Sequence, residues 1–288
     1  MSDFYKNKGA NEEKNLANEI FRKLEVMKNE RKVYEPMWNK AAEMCAVSSN
    51  LFYKDEYGRC KQNIFDTTAR NALTCFAASM KSIIVPTTSR WHRLKATNPK
   101  LDNNPNVKKY LECATDLLFR VRYGAKSNFA SESDLLFNQL GIYGHCLWMV
   151  DDDIGKGIVY RCIPVCEAYI KRNDRGGIDT VMREYELSAK EAYKKFGDDV
   201  SYDIKKAVSE SPERRFKFIH AVFEKKQYNK NKKDKGGMRF ASVHLDVASK
   251  KIVQEGDIDV VLIWRQDFWE LRGVLMEIVL LCKLFMIC

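Results

Sequence analysis

Apolar residues recur every three or four positions through the first half of the chain, which is the spacing that places side chains on one face of a helix. The first stripe consists of Leu16, Ile20, Leu24 and Met27. Asn11 is a suitable N-cap for this helix, and Pro36 interrupts or restarts it. Similar stripes predict a helix between Asp66 as N-cap and Pro86, one that opens near Pro105, and one from Glu132 to Tyr143.

Short β-prone runs replace the helical stripes after residue 145. These runs are residues 147–150, 158–163, 169–172, 180–185, 216–224, 240–247 and 252–254. A short helix from Ser188 to Phe196, with Ser188 as its N-cap, interrupts them. Trp91 to Lys95 reads as one further strand in the helical part. The chain is therefore predicted to be an α+β protein, helical at first and strand-rich afterwards.

Positive charge is concentrated in one stretch of the chain. The net charge is +10, and residues 205–251 hold fourteen Lys and Arg against five Asp and Glu. A basic segment of this kind suits a polyanionic partner, such as nucleic acid or an acidic protein face, and it is equally typical of a solvated loop. The hydrophobic fraction of 45% and the charged fraction of 31% are ordinary for a soluble globular protein.

The nine cysteines are scattered, without a CxxC pair. They are Cys45, Cys60, Cys75, Cys113, Cys146, Cys162, Cys166, Cys282 and Cys288. The polar N-terminus does not read as a signal peptide, so a disulfide framework is not expected. Most of these thiols are predicted to be small buried hydrophobes.

Candidate chemistry in the sequence is sparse. The triplet Asp151-Asp152-Asp153 offers hard oxygen ligands for a divalent metal, or a solvated turn after a strand. His220 and His244 are expected to face each other across paired strands, and Arg183 and Glu184 to point to opposite faces of one strand, with ion pairs between subunits as one role for them. Phosphate-binding GxxxxGK, HExxH and GxSxG motifs are missing. We predict no catalytic residue, no metal and no cofactor.

Several separated segments carry a family resemblance, in the order that the family has them. They include Tyr34-Glu-Pro-Met-Trp38, Phe65-Asp-Thr-Thr-Ala-Arg70, Ser89-Arg-Trp91, Ser127-Asn-Phe129, Gly141-Ile-Tyr-Gly144, Ile163-Pro164, His220-Ala-Val222 and Phe240-Ala-Ser-Val243. Over about residues 16–258 the chain resembles the N-terminal half of the head-to-tail connecting proteins, the portals of short-tailed phages. The segment Ser89-Arg-Trp91 combines basic and aromatic side chains, a combination that can stack on nucleic acid. The alternative interpretation is a buried tryptophan between exposed arginines.

The resemblance implies a structural subunit and not an enzyme. It implies a ring, typically a dodecamer, at one capsid vertex of the virion, assembled in the host cytoplasm. Double-stranded DNA passes through such a ring, and terminase, scaffold or capsid proteins and tail proteins dock on it. By analogy, residues 1–126 correspond to a helical wing-like region, residues 127–150 to a stem-like helix, and residues 151–258 to a strand-rich, clip-like region.

A lysine-rich loop in the clip-like region is the predicted surface for nucleic acid or a docking protein. Its basic residues are Lys225, Lys226, Lys230, Lys232, Lys233, Lys235 and Arg239. Phosphate contacts from such side chains would be independent of DNA sequence and sensitive to salt. The competing interpretations are a nucleic-acid-binding module without a ring, and a metal nuclease that uses the Asp151 triplet.

The apolar tail, residues 259–288, departs from the family pattern. Residues 274–288 are strongly apolar but shorter than the roughly 20 residues of a spanning helix, so no membrane is predicted as a partner. We interpret the tail as the product of a frameshift or truncation in a prophage gene, which would leave a portal fragment without function. The alternative is a helix that binds a membrane or a partner.

Overall fold

The computed structural model describes residues 10–45, 67–96, 98–153, 157–174, 176–225, 238–258 and 263–265. The helices are α1 (Ala10–Arg31), α2 (Glu35–Met44), α3 (Thr68–Ile84), α4 (Pro99–Asp102), α5 (Pro105–Arg122), α6 (Phe129–Tyr143), α7 (Ala189–Phe196) and α8 (Tyr202–Glu210). The strands are β1 (His145–Asp153), β2 (Gly157–Ile163), β3 (Ala168–Arg172), β4 (Ile178–Ser188), β5 (Arg215–Glu224), β6 (Phe240–Asp246), β7 (Lys251–Ile258) and β8 (Ile263–Arg265). The α+β prediction is confirmed.

The chain divides into two compact units. One consists of residues 1–35 and 167–261, and the other of residues 36–166 and 262–288. Helix α1 therefore belongs to the same unit as the later strands, although a hundred and thirty residues or more separate them along the chain. We call these the five-stranded unit and the three-stranded unit, after their sheets.

The five-stranded unit contains an antiparallel sheet in the order β3-β4-β5-β6-β7. The predicted stripe of α1 packs on one face of this sheet, and Ile20, Leu24 and Met27 are almost fully buried there. Their partners are Met182, Ile219, Ala221, Val243 and Leu245. Because successive strand residues point to opposite faces, this set alternates with a second apolar set on the other side.

Helices α7 and α8 cover that other face. Ser188 caps α7 as predicted, in a reciprocal capping box: its hydroxyl accepts from the Glu191 amide, and the Glu191 carboxylate accepts from the Ser188 amide. Phe196 of α7 and Ile204 of α8 then pack on Phe218 of the sheet, which has no exposed surface. The sheet is thereby buried between helices on both sides.

The three-stranded unit contains the antiparallel sheet β2-β1-β8, on which α6 packs. Helix α3 lies against α6, and Gly141 is where they come closest. A Cβ atom at Gly141 would stand 2.7 Å from Leu73 Cδ1 and 3.0 Å from Phe76 Cδ1. The absence of a side chain at Gly141 therefore permits the close approach of the two helices.

Three local predictions need correction. Residues 91–95 form no strand, because Trp91 and His92 pack into an aromatic cluster and the Leu94 amide donates to Thr115 Oγ1 at 3.1 Å. The residue that precedes α3 is Thr67, and Asp66 lies outside the described residues. The short helices α4 and α8 were not located from the sequence, because neither carries a long apolar stripe.

Candidate interaction surfaces

The base of the lysine-rich loop is well defined. The Lys225 amide donates to the Arg239 carbonyl at 3.0 Å, which closes the hairpin between β5 and β6. Arg239 donates from Nε to Glu224 Oε1 at 2.8 Å, and its guanidinium lies 5.2 Å from the centre of the Phe240 ring. Of the seven predicted residues, these two are placed, at the base of the loop. The other five, Lys226, Lys230, Lys232, Lys233 and Lys235, lie outside the described residues.

The acidic triplet ends strand β1, opposite the start of β2. Asp151 pairs with Val159 in the strand register, and its side chain is exposed. Asp152 pairs with Ile158 and Asp153 with Gly157 in the same register. In the part of the chain that the structure describes, no three His, Cys, Asp or Glu side chains converge as metal ligands. The metal-nuclease interpretation therefore gains no geometric support there.

His220 and His244 face each other across β5 and β6, as predicted. Their ring centres lie 4.0 Å apart at an interplanar angle of 10°. Ser242 Oγ is 2.8 Å from His220 Nε2, and Tyr185 Oη is 3.0 Å from His244 Nδ1. Burial lowers the pKa of His220 to about 3 and lowers the pKa of His244 even further. Both rings are neutral near pH 7, so the pair is a hydrogen-bonded stack and not a proton-transfer site.

The Ser89-Arg-Trp91 segment surrounds a buried arginine. The Arg122 guanidinium is 4.8 Å from the Trp91 ring centre, and Arg122 Nε donates to Tyr160 Oη at 3.3 Å. His92 Nδ1 lies 3.2 Å from Arg122 Nη1, and burial together with this positive charge lowers the pKa of His92 to about 4. Trp91 is partly buried and packs against the core of the unit, which supports the structural interpretation of this segment over nucleic-acid stacking.

The arginines on either side of Trp91 form ion pairs with α5. Arg90 pairs with Asp116, and Arg93 lies 3.5 Å from Glu112. All four of these charged side chains are about half exposed. The segment is thus held on the helix by its charges as well as by its aromatic rings.

Polar side chains of α6 cover the outer edge of strand β2. Glu132 Oε2 accepts from the Cys162 amide at 2.7 Å, and Gln139 Oε1 accepts from the Val165 amide at 3.2 Å. The Ser127 carbonyl accepts from the Tyr160 amide at 2.9 Å. Sequence reasoning did not assign these roles. The available signal was the seven-residue spacing of Glu132 and Gln139, which places two polar groups on the apolar face of one helix.

Arg183 and Glu184 point to opposite faces of β4 and make ion pairs within the chain. Arg183 Nη2 is 2.8 Å from Glu167, and Glu184 is 2.9 Å from Lys28 of α1. Both bridges hold the sheet to flanking elements. Ion pairs of these two residues between subunits stay a prediction.

The cysteines of the described residues are free thiols. Cys146 and Cys162 are buried as predicted, and burial raises the pKa of Cys162 to about 12. Cys75 and Cys113 are exposed, and Cys45 and Cys166 are partly buried, so the prediction that most thiols are buried is wrong for the described cysteines. Among the described residues, no helix is long and apolar enough to cross a membrane. The apolar tail after residue 265 lies outside the described residues.

Two curated phage proteins are similar to the chain. It is 23% identical to a "Probable portal protein" of Bordetella phage BPP-1 over 76% of this chain and 40% of that protein. It is also 23% identical to the "Portal protein" of Salmonella phage epsilon15 over 88% of this chain and 46% of that protein. The chain thus spans less than half the length of these relatives.

A family comparison covers most of the chain. The model of the family described as "Bacteriophage head to tail connecting protein" matches residues 17–266. This match includes most of α1 and every strand described above, and therefore parts of both compact units. The chain belongs to the bacteriophage head to tail connecting protein family.

Proposed function

We propose that this chain is a structural subunit of a phage portal, a ring through which DNA enters the capsid and leaves it. The observation that carries the proposal is the family match over residues 17–266, which agrees with two relatives named as portal proteins. The fold supports a scaffold role, because both units are built around sheets with helices packed on them. The ring is expected to contain twelve copies at one vertex of the virion.

The same proposal extends to partners and regions. Double-stranded DNA would pass through the ring, and terminase, capsid or scaffold proteins and tail proteins would dock on it during assembly in the host cytoplasm. Residues 1–126 would form the wing-like region, residues 127–150 the stem-like helix, and residues 151–258 the clip-like region with its basic loop. A scaffold of this kind requires no catalytic residue.

The decisive experiment is the solution mass of the purified full chain, measured by light scattering without detergent. Twelve copies of the 33.5 kDa chain would give about 400 kDa. A mass near this value, with ring particles in negative-stain electron micrographs, is the expected result. A monomeric mass at all concentrations would contradict ring formation by this chain.

The basic loop has its own test. Replacement of Lys230, Lys232 and Lys233 by glutamine is expected to lower the salt dependence of duplex DNA binding by about 0.9 per lost phosphate contact. Replacement of the exposed Lys190, Lys194 and Lys205 in the same way is the matched control. An equal effect of the two triple variants would contradict a specific role of the loop.

A further inference from the structure

Helix α5 of the three-stranded unit buries polar residues and exposes apolar ones. Thr115 and Arg122, on its inner side, are 1% and 4% exposed. Tyr110 and Leu117 are 73% and 56% exposed, and Cys113 between them is exposed as well. Because these three residues follow one another at intervals of three and four positions, they lie on one face of the helix. The outward face of α5 is therefore apolar where a surface helix is ordinarily polar.

Two half-buried residues, Ala114 and Val121, widen this outward face. We call Tyr110, Cys113, Ala114, Leu117 and Val121 the α5 stripe. Single exposed apolar side chains are common on proteins, whereas a contiguous apolar row marks a surface that binds another molecule or segment. Among the described residues, nothing covers the two large side chains of the stripe.

The chain itself contains an apolar segment that continues from the same unit. Strand β8 pairs with β1, with Arg265 opposite His145, and residues 266–288 follow it. Residues 274–288, which we call the apolar segment, have Glu277 and Lys283 as their only charged residues. Each Å² of apolar surface that such a segment buries stabilises it by about 25 cal/mol. An apolar surface within reach of β8 is therefore a favourable place for it.

The α5 stripe is within that reach. A Cβ atom at Gly157, which lies opposite the last residue of β1, would stand 3.8 Å from Val121 Cγ1. Because β1 begins opposite Arg265, its eight steps of about 3.3 Å separate β8 from the end of α5 by about 26 Å. Residues 266–273 span about the same distance when extended. The apolar segment can then lie along α5.

The charges beside the two partners are complementary. Lys109 and Arg120 are exposed next to the α5 stripe, and the ion pairs of α5 among the described residues are those of Glu112 and Asp116. Residues 266–277 contain three acidic residues and one arginine. Docking of two α5 stripes on each other would instead bring like charges together, which is unfavourable.

We propose that the apolar segment docks on the α5 stripe of the same chain, with acidic residues of 266–277 beside Lys109 and Arg120. Docking removes the apolar side chains of both partners from water. It also makes the stripe unavailable to a second copy or to another protein. The contact forms within each chain and does not depend on a ring.

Native thiols report on this docking. Cys113 lies in the stripe, whereas Cys75 is exposed on α3 of the same unit. The folded full chain is treated with N-ethylmaleimide, and peptide mass spectrometry follows the labelling of each cysteine. Cys113 is expected to react at least about tenfold more slowly than Cys75, because a docking free energy of about 1.4 kcal/mol gives that factor. Labelling of Cys113 at the rate of Cys75 would overturn the proposal.

Charged substitutions in the apolar segment should open the stripe. The segment variant carries Leu280→Asp and Leu284→Asp, and its Cys113 is expected to react about tenfold faster than in the unmodified chain, with Cys75 unchanged. An unchanged rate at Cys113 would show that something other than the segment covers the stripe, which overturns the proposal.

The control variant places the same charges elsewhere in the unit. It carries Leu101→Asp and Leu135→Asp, at two leucines that are 51% and 49% exposed. The labelling rates of both thiols are expected to stay as in the unmodified chain. Thermal unfolding by circular dichroism verifies that both variants fold. An equal increase at Cys113 in the two variants would overturn the proposal.

Cross-linking with a short bismaleimide identifies the occupant of the stripe. A link between Cys113 and Cys282 of one chain, recovered from the monomer band of a denaturing gel, is expected at all protein concentrations. The same link between two chains, or a link between two copies of Cys113, would assign the stripe to a second copy and overturn the proposal. Light scattering in parallel tests the ring separately: a monomer with the link inside one chain rejects only the ring, and a ring without it rejects only the docking.

Discussion

The five-stranded sheet is covered by α1 on one face and by α7 and α8 on the other, whereas the three-stranded sheet depends on α6 for a face and for its outer edge. The first arrangement spreads its stabilisation over many apolar contacts. The second also relies on a few discrete hydrogen bonds and on one close contact at Gly141. We therefore expect mutations in the five-stranded unit to lower stability mainly through lost apolar burial. In the three-stranded unit, we expect them to lower stability mainly by breaking a specific hydrogen bond or a close helix contact.

The largest expected effect is the loss of a buried ring from the five-stranded unit. Phe218→Ala removes a side chain with no exposed surface that packs on Phe196 and Tyr185. We expect the free energy of unfolding, measured by urea denaturation, to fall by about 4 kcal/mol. Tyr202→Ala, at a position that is 78% exposed on α8, is the control and should change it by less than about 0.5 kcal/mol. Similar losses for the two variants would contradict face burial as the main source of stability.

The next prediction concerns how the stability of the three-stranded unit, which contains His92, depends on pH. The pKa of His92 is about 4 in the folded chain, below the ordinary value of 6.5. The unfolded chain therefore binds the proton first, and the contribution of His92 to stability is present above pH 6.5 and is lost as the pH falls towards 4. Between pH 7 and pH 5 this amounts to about 2 kcal/mol. In His92→Gln, the pH-dependent loss in urea denaturation should be smaller by that amount, and an unchanged loss would contradict this role.

A similar or smaller effect is expected where α3 meets α6. Gly141→Leu inserts a side chain where even a Cβ atom would approach Leu73 within 2.7 Å. Overpacking of this kind typically costs about 1–3 kcal/mol, which exceeds the gain of about 1 kcal/mol in helix propensity. Ala78→Leu on the exposed face of α3 is the control, since it adds similar volume without a neighbour to displace. A more stable Gly141→Leu protein would show that the helices can move apart freely.

A comparable effect on stability, confined to one hydrogen bond, is expected at the edge of β2. Glu132→Ala leaves the Cys162 amide without its acceptor, at a cost of about 1–3 kcal/mol, whereas Glu132→Gln retains an oxygen at that position and should cost less. Hydrogen exchange of the Cys162 amide is the direct measurement, and it should accelerate in Glu132→Ala. Exchange at the rate of the unmodified chain would show that water or another group replaces the carboxylate.

Patterns within a few residues were enough to predict most elements. The apolar stripe of α1, the capping box at Ser188 and the strand pairs that contain Arg183 and His220 follow from local periodicity and turn chemistry. The stacked histidines were foreseeable because register pairs residues directly across adjacent strands. The Trp91–Lys95 segment was predicted wrongly because β-propensity does not reveal whether a partner strand is within reach.

The edge cover of β2 illustrates the limit of such patterns. Glu132 lies on α6 and Cys162 on β2, and only the packing of this helix beside the strand brings the carboxylate to the amide. The predicted basic loop, in contrast, was visible from charge alone. A site assembled from separate elements therefore escapes sequence reasoning, whereas a contiguous charged segment does not.

The sequence by itself determined the α+β class, the order of most helices and strands, and the family, because helix periodicity, caps and motif order are written in short stretches. Only the tertiary structure showed that α1 joins the later sheet, where Arg31 donates to the Ala168 carbonyl across 137 residues of chain. The same holds for Glu132 at the edge of β2. The physical reason is that burial and hydrogen bonding are properties of the whole packed chain. From the sequence alone, several distant segments could equally well bury the same apolar stripe or hydrogen-bond the same polar group.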